Sequence, residues 1–178
     1  MQIRKTDPFK TEGNTLSGYA VVYNTDSVEI FEGGRRFKEQ IRSGAFDESI
    51  KNNDIKLYFN HDKSMPLART KNGSLKVRSD EKGVWFEATL PDTSLARDVK
   101  ELLNTGTLTG EMSFGFIDTD VDWKSRNQKI VKKGIIREVS IVMDAAYQDT
   151  HSQLRSIHVN QDQEINNKRI ELIRRRIK

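Results

Sequence analysis

Three side chains carry most of the chemistry this sequence could do. His61 lies in Asn60-His61-Asp62, Ser113 in Met112-Ser113-Phe114-Gly115-Phe116, and Glu138 in Arg137-Glu138-Val139-Ser140-Ile141-Val142, each inside or at the end of a strand-like apolar run. In chain order they offer an imidazole, a hydroxyl and a carboxylate, the parts of an activated serine nucleophile. A serine hydroxyl attacks poorly until a base takes its proton. Imidazole can do so near neutrality because its unperturbed pKa is about 6.5. A carboxylate behind the ring fixes its tautomer and stabilises the imidazolium that forms. Donors aimed at the developing oxyanion complete such a site.

Each residue also has a plainer reading. Alternation puts Met112, Phe114 and Phe116 on one strand face and Ser113 with Gly115 on the other, where the glycine leaves space for a substrate backbone. Ser113 also reads as an ordinary serine on a half-exposed strand. His61, the one histidine outside the polar C-terminal region, reads also as a strand-end histidine bonded to water or backbone. Glu138 sits in a run of Ile, Val and Met, where a carboxylate needs a partner. That partner is either a Lys or Arg in a salt bridge, or His61. Asp62 points away from its neighbour His61 if both are in a strand. His151 is a rival third member in a loop-like setting.

The elements that must position these groups are mainly strands. Residues 13–23 alternate, with Leu16, Gly18, Ala20 and Val22 on one face and Tyr19, Val21 and Tyr23 on the other. After Gly33-Gly34, Ser43 is a candidate N-cap for a short helix through Phe46 and Ile50. Ile55, Leu57 and Phe59 alternate with Lys56, Tyr58 and Asn60, which places His61 at a strand end. Strands at 74–78 and 84–90 flank a polar turn at 79–83. The clearest helix follows Pro91, capped by Asp92 or Thr93, striped by Leu95, Val99, Leu102 and Leu103, and stopped by Gly106. Strand resumes at 111–117, a charged loop runs over 118–133, and a strand buried on both faces spans 135–143. Six or more strands with at least two helices predict a mainly β, α+β domain: a closed, largely antiparallel barrel with helices packed outside.

Composition narrows the classes further. The 178 residues suit one domain with a sizeable core, while 35% hydrophobic and 31% charged content suggests polar segments diluting a compact body. No apolar run is long enough to span a bilayer, and the N-terminus lacks an apolar signal core. The lack of cysteine excludes disulfides, thiolate catalysis and cysteine-based zinc sites. No histidine pair has metal-site spacing, and Asp118-Thr119-Asp120-Val121-Asp122 lacks the glycine and closing glutamate of a calcium loop. No cofactor and no metal are expected. The net charge of +4 is concentrated in the run from Lys168 to Lys178, which leaves the remainder close to neutral. Nucleic-acid binding is therefore expected only weakly, through that tail. Ile170, Ile173 and Ile177 could line one face of a short terminal helix that is marginal alone. The division is a domain over 1–157 and a charged tail over 158–178.

Seven landmarks in order make the chain resemble the prohead maturation proteases of tailed bacteriophages, a serine endopeptidase family related to the herpesvirus assemblins. They are Gly18-Tyr19-Ala20-Val21-Val22-Tyr23-Asn24, the segment Phe37 to Phe46 ending Gly44-Ala45-Phe46, and Phe59-Asn60-His61-Asp62 with Pro66-Leu67-Ala68-Arg69. They continue with Gly83-Val84-Trp85-Phe86-Glu87-Ala88, residues Pro91 to Val99, Met112 to Phe116, and Arg137 to Val142. The resemblance implies His61 as general base, Ser113 as nucleophile and an acidic third member at Glu138, where assemblins use a second histidine. It implies an assemblin-like barrel and action on scaffold and major capsid protein segments inside an assembling procapsid in the host cytoplasm, with self-cleavage. A homodimer follows by analogy, and the tail is then a packaging or scaffold-contact element. Ala145-Ala146-Tyr147-Gln148 and Ser43 stand where the family commonly has prolines. A non-catalytic capsid- or scaffold-binding module with the same barrel is the competing reading.

Overall fold

The computed structural model describes residues 10–143 of the chain. His151, the predicted boundary after residue 157, the terminal helix and the basic tail lie outside the described residues. Among those described, ten strands and two α-helices run in the order β1 (Lys10–Glu12), β2 (Thr15–Val22), β3 (Ile30–Glu32), β4 (Arg35–Ile41), α1 (Asp47–Asn52), β5 (Lys56–Phe59), β6 (Asp62–Arg69), β7 (Leu75–Ser79), β8 (Gly83–Thr89), α2 (Ser94–Asn104), β9 (Met112–Ser125) and β10 (Gln128–Ile141).

The strands make two sheets. The first is antiparallel in the order β1-β2-β8-β7, and the second runs β3-β4-β10-β5-β6 with β9 on the other edge of β10. β10 organises the second sheet. One edge pairs with β9 along nearly its whole length, and the other pairs in parallel with β4 over 128–131 and with β5 over 138–141. The mainly β expectation holds, but the closed barrel does not: the sheet curls into a half-barrel. The end strands β3 and β6 do not pair with each other. β3 has only three residues, and β6 pairs irregularly with β5 around Pro66, which has no N–H to extend a ladder.

Leu16, Phe46, Leu57, Leu67, Phe86, Val99, Ile136, Val139 and Ile141 belong to one buried apolar cluster. A bulge departs from strict alternation in β2. Tyr19 faces Trp85 and Val21 faces Val84, so Ala20 is the extra residue and both Ala20 and Val21 are buried. The second helix forms as its sequence predicts: Thr93 Oγ1 accepts the Ala96 N–H at 3.3 Å, and Gly106 adopts a left-handed φ of 73° just past the end. The first helix differs. Gly44 turns the chain with φ 78°, the helix begins only at Asp47, and Ser43 does not cap it. The predicted charged loop at 118–133 is instead the body of a β9–β10 hairpin.

Candidate active site

Two cross-strand rows define the site. Ser113 on β9 lies opposite Ser140 on β10, which faces Tyr58 on β5; one row along, Gly115 lies opposite Glu138, which faces Lys56. Directly paired residues project from the same face of a sheet. Ser113, Gly115, Glu138 and Ser140 therefore share one face, while Met112, Phe114, Val139 and Ile141 fill the other. Ser113 is buried at 6% exposure, against the half-exposed position its alternation suggests.

A bulge aims Glu138. Ile136 pairs with Phe116 and Glu138 pairs with Gly115, which leaves Arg137 as the additional, exposed residue of β10. Without it, regular alternation would put Glu138 on the same face as Ile136, in the apolar core.

His61 comes from a different local device. Phe59 pairs with Asp62, so Asn60 and His61 are the two central residues of the β5–β6 hairpin, with φ of 50° and 59°. Positive φ at both positions defines a type I′ turn, the two-residue connection whose twist matches flanking strands. Asn is at home there, but the second position favours glycine, and His61 occupies it. The turn is tied to the end of β10: Asn60 N–H donates to Ile141 O at 2.8 Å, and Met143 N–H donates to Asn60 Oδ1 at 3.0 Å.

The result is a contact across the sheet. His61 Nδ1 lies 2.6 Å from Glu138 Oε1, with both side chains about nine-tenths buried. A carboxylate can only accept, so Nδ1 carries a proton, and in the neutral ring Nε2 is then the nitrogen with the lone pair. This is the tautomer a general base requires. Of the two partners open to Glu138 in the sequence, the structure supplies the imidazole.

Other polar groups crowd the same face. Glu138 Oε2 and Ser140 Oγ are buried with no hydrogen-bond partner among the described residues. Tyr58 has its phenol pushed to higher pKa, first by burial and then by the charge of Glu138. Asp62 is turned away and accepts from Ser64 N–H and Oγ at 2.8 and 2.6 Å, which holds its carboxyl below the usual range. Among the described residues, no group of three or more His, Asp or Glu side chains is placed to hold a metal ion. No helix among them is long and apolar enough to cross a membrane.

Sequence reasoning missed three contributors: Asn60, Ser140 and the bulge at Arg137. Asn60 left a signal, since Asn followed by one residue between two strand runs fits a two-residue hairpin. Ser140 and Arg137 left none, because cross-strand register is not written in either strand alone.

The sequence profile of the caudovirus prohead serine proteases matches residues 1–165, nearly the whole chain. The chain belongs to that family, and the family is one of serine peptidases. No curated protein and no solved structure matches the chain.

Proposed function

We propose that this protein is a serine endopeptidase of phage head maturation, with Ser113 as nucleophile, His61 as general base and Glu138 as the group that orients and charges the base. The observation that carries the reading is the 2.6 Å contact between His61 Nδ1 and Glu138 Oε1, made by a buried pair in a chain of the prohead serine protease family. Ser113 stands one row from Glu138 on the same sheet face.

In the proposed reaction, Ser113 Oγ adds to the carbonyl carbon of a peptide bond while His61 Nε2 takes its proton. The resulting imidazolium is stabilised by the Glu138 carboxylate and returns the proton to the leaving amine as the C–N bond breaks. Water then attacks the acyl-enzyme with His61 again as base, releasing the carboxylic acid and the free serine. The buried setting strengthens each of these charge interactions relative to water.

The substrates are segments of the scaffold and the major capsid protein inside an assembling procapsid, in the host cytoplasm, and the enzyme also cleaves its own chain. Dimerisation belongs to the same reading, by analogy with assemblins. Coexpression with the cognate capsid protein, followed by mass measurement of the products, tests the assignment. Ser113→Ala should leave a folded protein whose turnover falls by about 10⁶, as expected for loss of a triad nucleophile. A fluorophosphonate should label wild-type Ser113 and fail to label His61→Ala at a comparable rate. Identical capsid products from wild type and Ser113→Ala would instead favour a non-catalytic capsid-binding module.

A further inference from the structure

Gly115 sits in β9 directly opposite Glu138, and its backbone has no positive φ that would call for glycine. Glycine in the middle of a strand is normally a liability, since it has no side chain to pack and loses more entropy on folding than alanine. The space a Cβ would need explains its presence. A methyl group built on Gly115 would stand 2.8 Å from Glu138 Cγ, 2.9 Å from Oε1 and 3.2 Å from Cδ. Real Cβ atoms essentially never approach other atoms closer than 3.0 Å. The Glu138 side chain therefore lies flat across Gly115, in the volume any other residue would fill. Its crowded oxygen, Oε1, is the same atom that holds His61 Nδ1. The space beside Ser113 that the sequence offered to a substrate backbone is taken by the carboxylate.

We infer that Gly115 is a positioning residue: by lacking a side chain, it lets Glu138 lie against the sheet with Oε1 at hydrogen-bond distance from His61 Nδ1. The bulge at Arg137 and the vacancy at Gly115 act together, the first turning Glu138 to this face and the second giving it room. Gly115→Ala forces either a shift of the carboxylate off the imidazole or a spreading of β9 from β10. Both movements loosen the orientation of His61 while leaving its ring and the Ser113 hydroxyl in the chain. This inference rests on the serine peptidase reading for its catalytic consequence, but not for its structural one.

The test is a double-mutant cycle on the full chain, read by fluorophosphonate labelling of Ser113 and by the NMR signal of the hydrogen-bonded His61 Nδ1 proton. Gly115→Ala should slow labelling by about 10²-fold, the scale of a catalytic group displaced by roughly 1 Å. It should also remove or shift the downfield Nδ1 proton resonance. In a Glu138→Ala background, the same Gly115→Ala change should have little further effect on labelling, because the group it displaces is gone. Equal slowing in both backgrounds, or an unchanged Nδ1 resonance in Gly115→Ala, overturns the inference. Should Gly115→Ala fail to fold, adding Glu138→Ala removes the overlap and should restore cooperative unfolding; a double variant that stays unfolded also overturns it. Failure of the protease reading looks different. Wild-type Ser113 would then resist the fluorophosphonate, while the Nδ1 resonance would still report whether Gly115 holds the Glu138–His61 contact.

Discussion

His61 reaches Glu138 from a left-handed backbone: φ is 59° at the residue whose ring nitrogen stands 2.6 Å from the carboxylate. A side chain in that region costs about 1–2 kcal/mol relative to a right-handed conformation, a penalty that glycine escapes and Asn feels less than most residues. The strain is placed where the ring is needed. A straight continuation of β5 would carry the imidazole away along the strand, whereas the tight turn folds it back over Glu138.

Two substitutions separate the backbone term from the loss of the ring. His61→Ala and His61→Gly both remove the imidazole and leave Glu138 without its partner, so both should be inactive and less stable than wild type. They should differ from each other by about 1 kcal/mol, with His61→Gly the more stable. Urea unfolding at neutral pH measures the difference. Equal stability, or a more stable alanine variant, would mean that the turn is not held in the left-handed region.

The carboxylate itself can be tested without changing its size. In Glu138→Gln the amide can present an N–H to His61 Nδ1, which favours the tautomer with the proton on Nε2, where no base is left to take one from Ser113. The neutral side chain also cannot stabilise an imidazolium. Labelling of Ser113 should fall by about 10²–10⁴-fold and yet stay above the Ser113→Ala background. Full activity in Glu138→Gln would remove Glu138 from the mechanism.

The far end of the β5–β6 hairpin has its own anchor. Asp54 accepts from Arg69, from Lys71 N–H at 3.1 Å and from Thr70 Oγ1 at 3.4 Å. The Arg69 guanidinium, more than any other neighbour, holds the Asp54 carboxyl well below the usual range. A depressed carboxyl contributes stability that is present above its unfolded value, near 3.9, and is lost as pH falls through the folded value. Arg69→Met should therefore move acid unfolding to higher pH, and its difference from wild type should shrink once both proteins are below the Asp54 titration. Circular dichroism across an acid titration shows the order of the two midpoints, and coincident midpoints would assign the anchor elsewhere.

Much of this architecture is legible in one sequence because it is local. Thr93 before an amphipathic run and Gly106 after it bound the second helix, and the alternation around Leu57 and Phe59 places His61 at a strand end. What one strand cannot tell is its register against another. In sequence the glycine beside Ser113 offers room for substrate, and only pairing with β10 shows Glu138 lying in it. The Arg137 bulge is hidden for the same reason. Barrel closure failed because it depends on whether β3 and β6 meet, a question of sheet curvature and edge irregularity and not of pattern. The charges of the segment 118–133 suggest a solvated loop, whereas Lys129 is buried among carboxylates from neighbouring strands.

That buried cation gives a last prediction. Lys129 Nζ lies 3.0 Å from Glu39 on β4 and 2.5 Å from Asp118 on β9, so it ties together the three strands that meet at the N-terminal half of β10. Burial alone would lower its pKa, but the two carboxylates outweigh that and raise it. A raised amine contributes stability fully present below its unfolded value, near 10.4, and lost as pH rises through the folded value. Lys129→Met leaves the Glu39 carboxylate in the interior without this cation. It should destabilise the protein by about 3–5 kcal/mol at neutral pH, the usual consequence of removing one partner from a buried pair. Adding Glu39→Gln should recover part of that loss, because the stranded charge is then gone while the shape is kept. Lys129→Met should also lack the alkaline loss of stability expected of wild type from the raised Lys129. Denaturant unfolding of the three proteins from pH 7 upward decides the matter, and a Lys129→Met variant within 0.5 kcal/mol of wild type, the range expected of about any plain surface change, would show that the ion cluster does not hold the hairpin to the sheet.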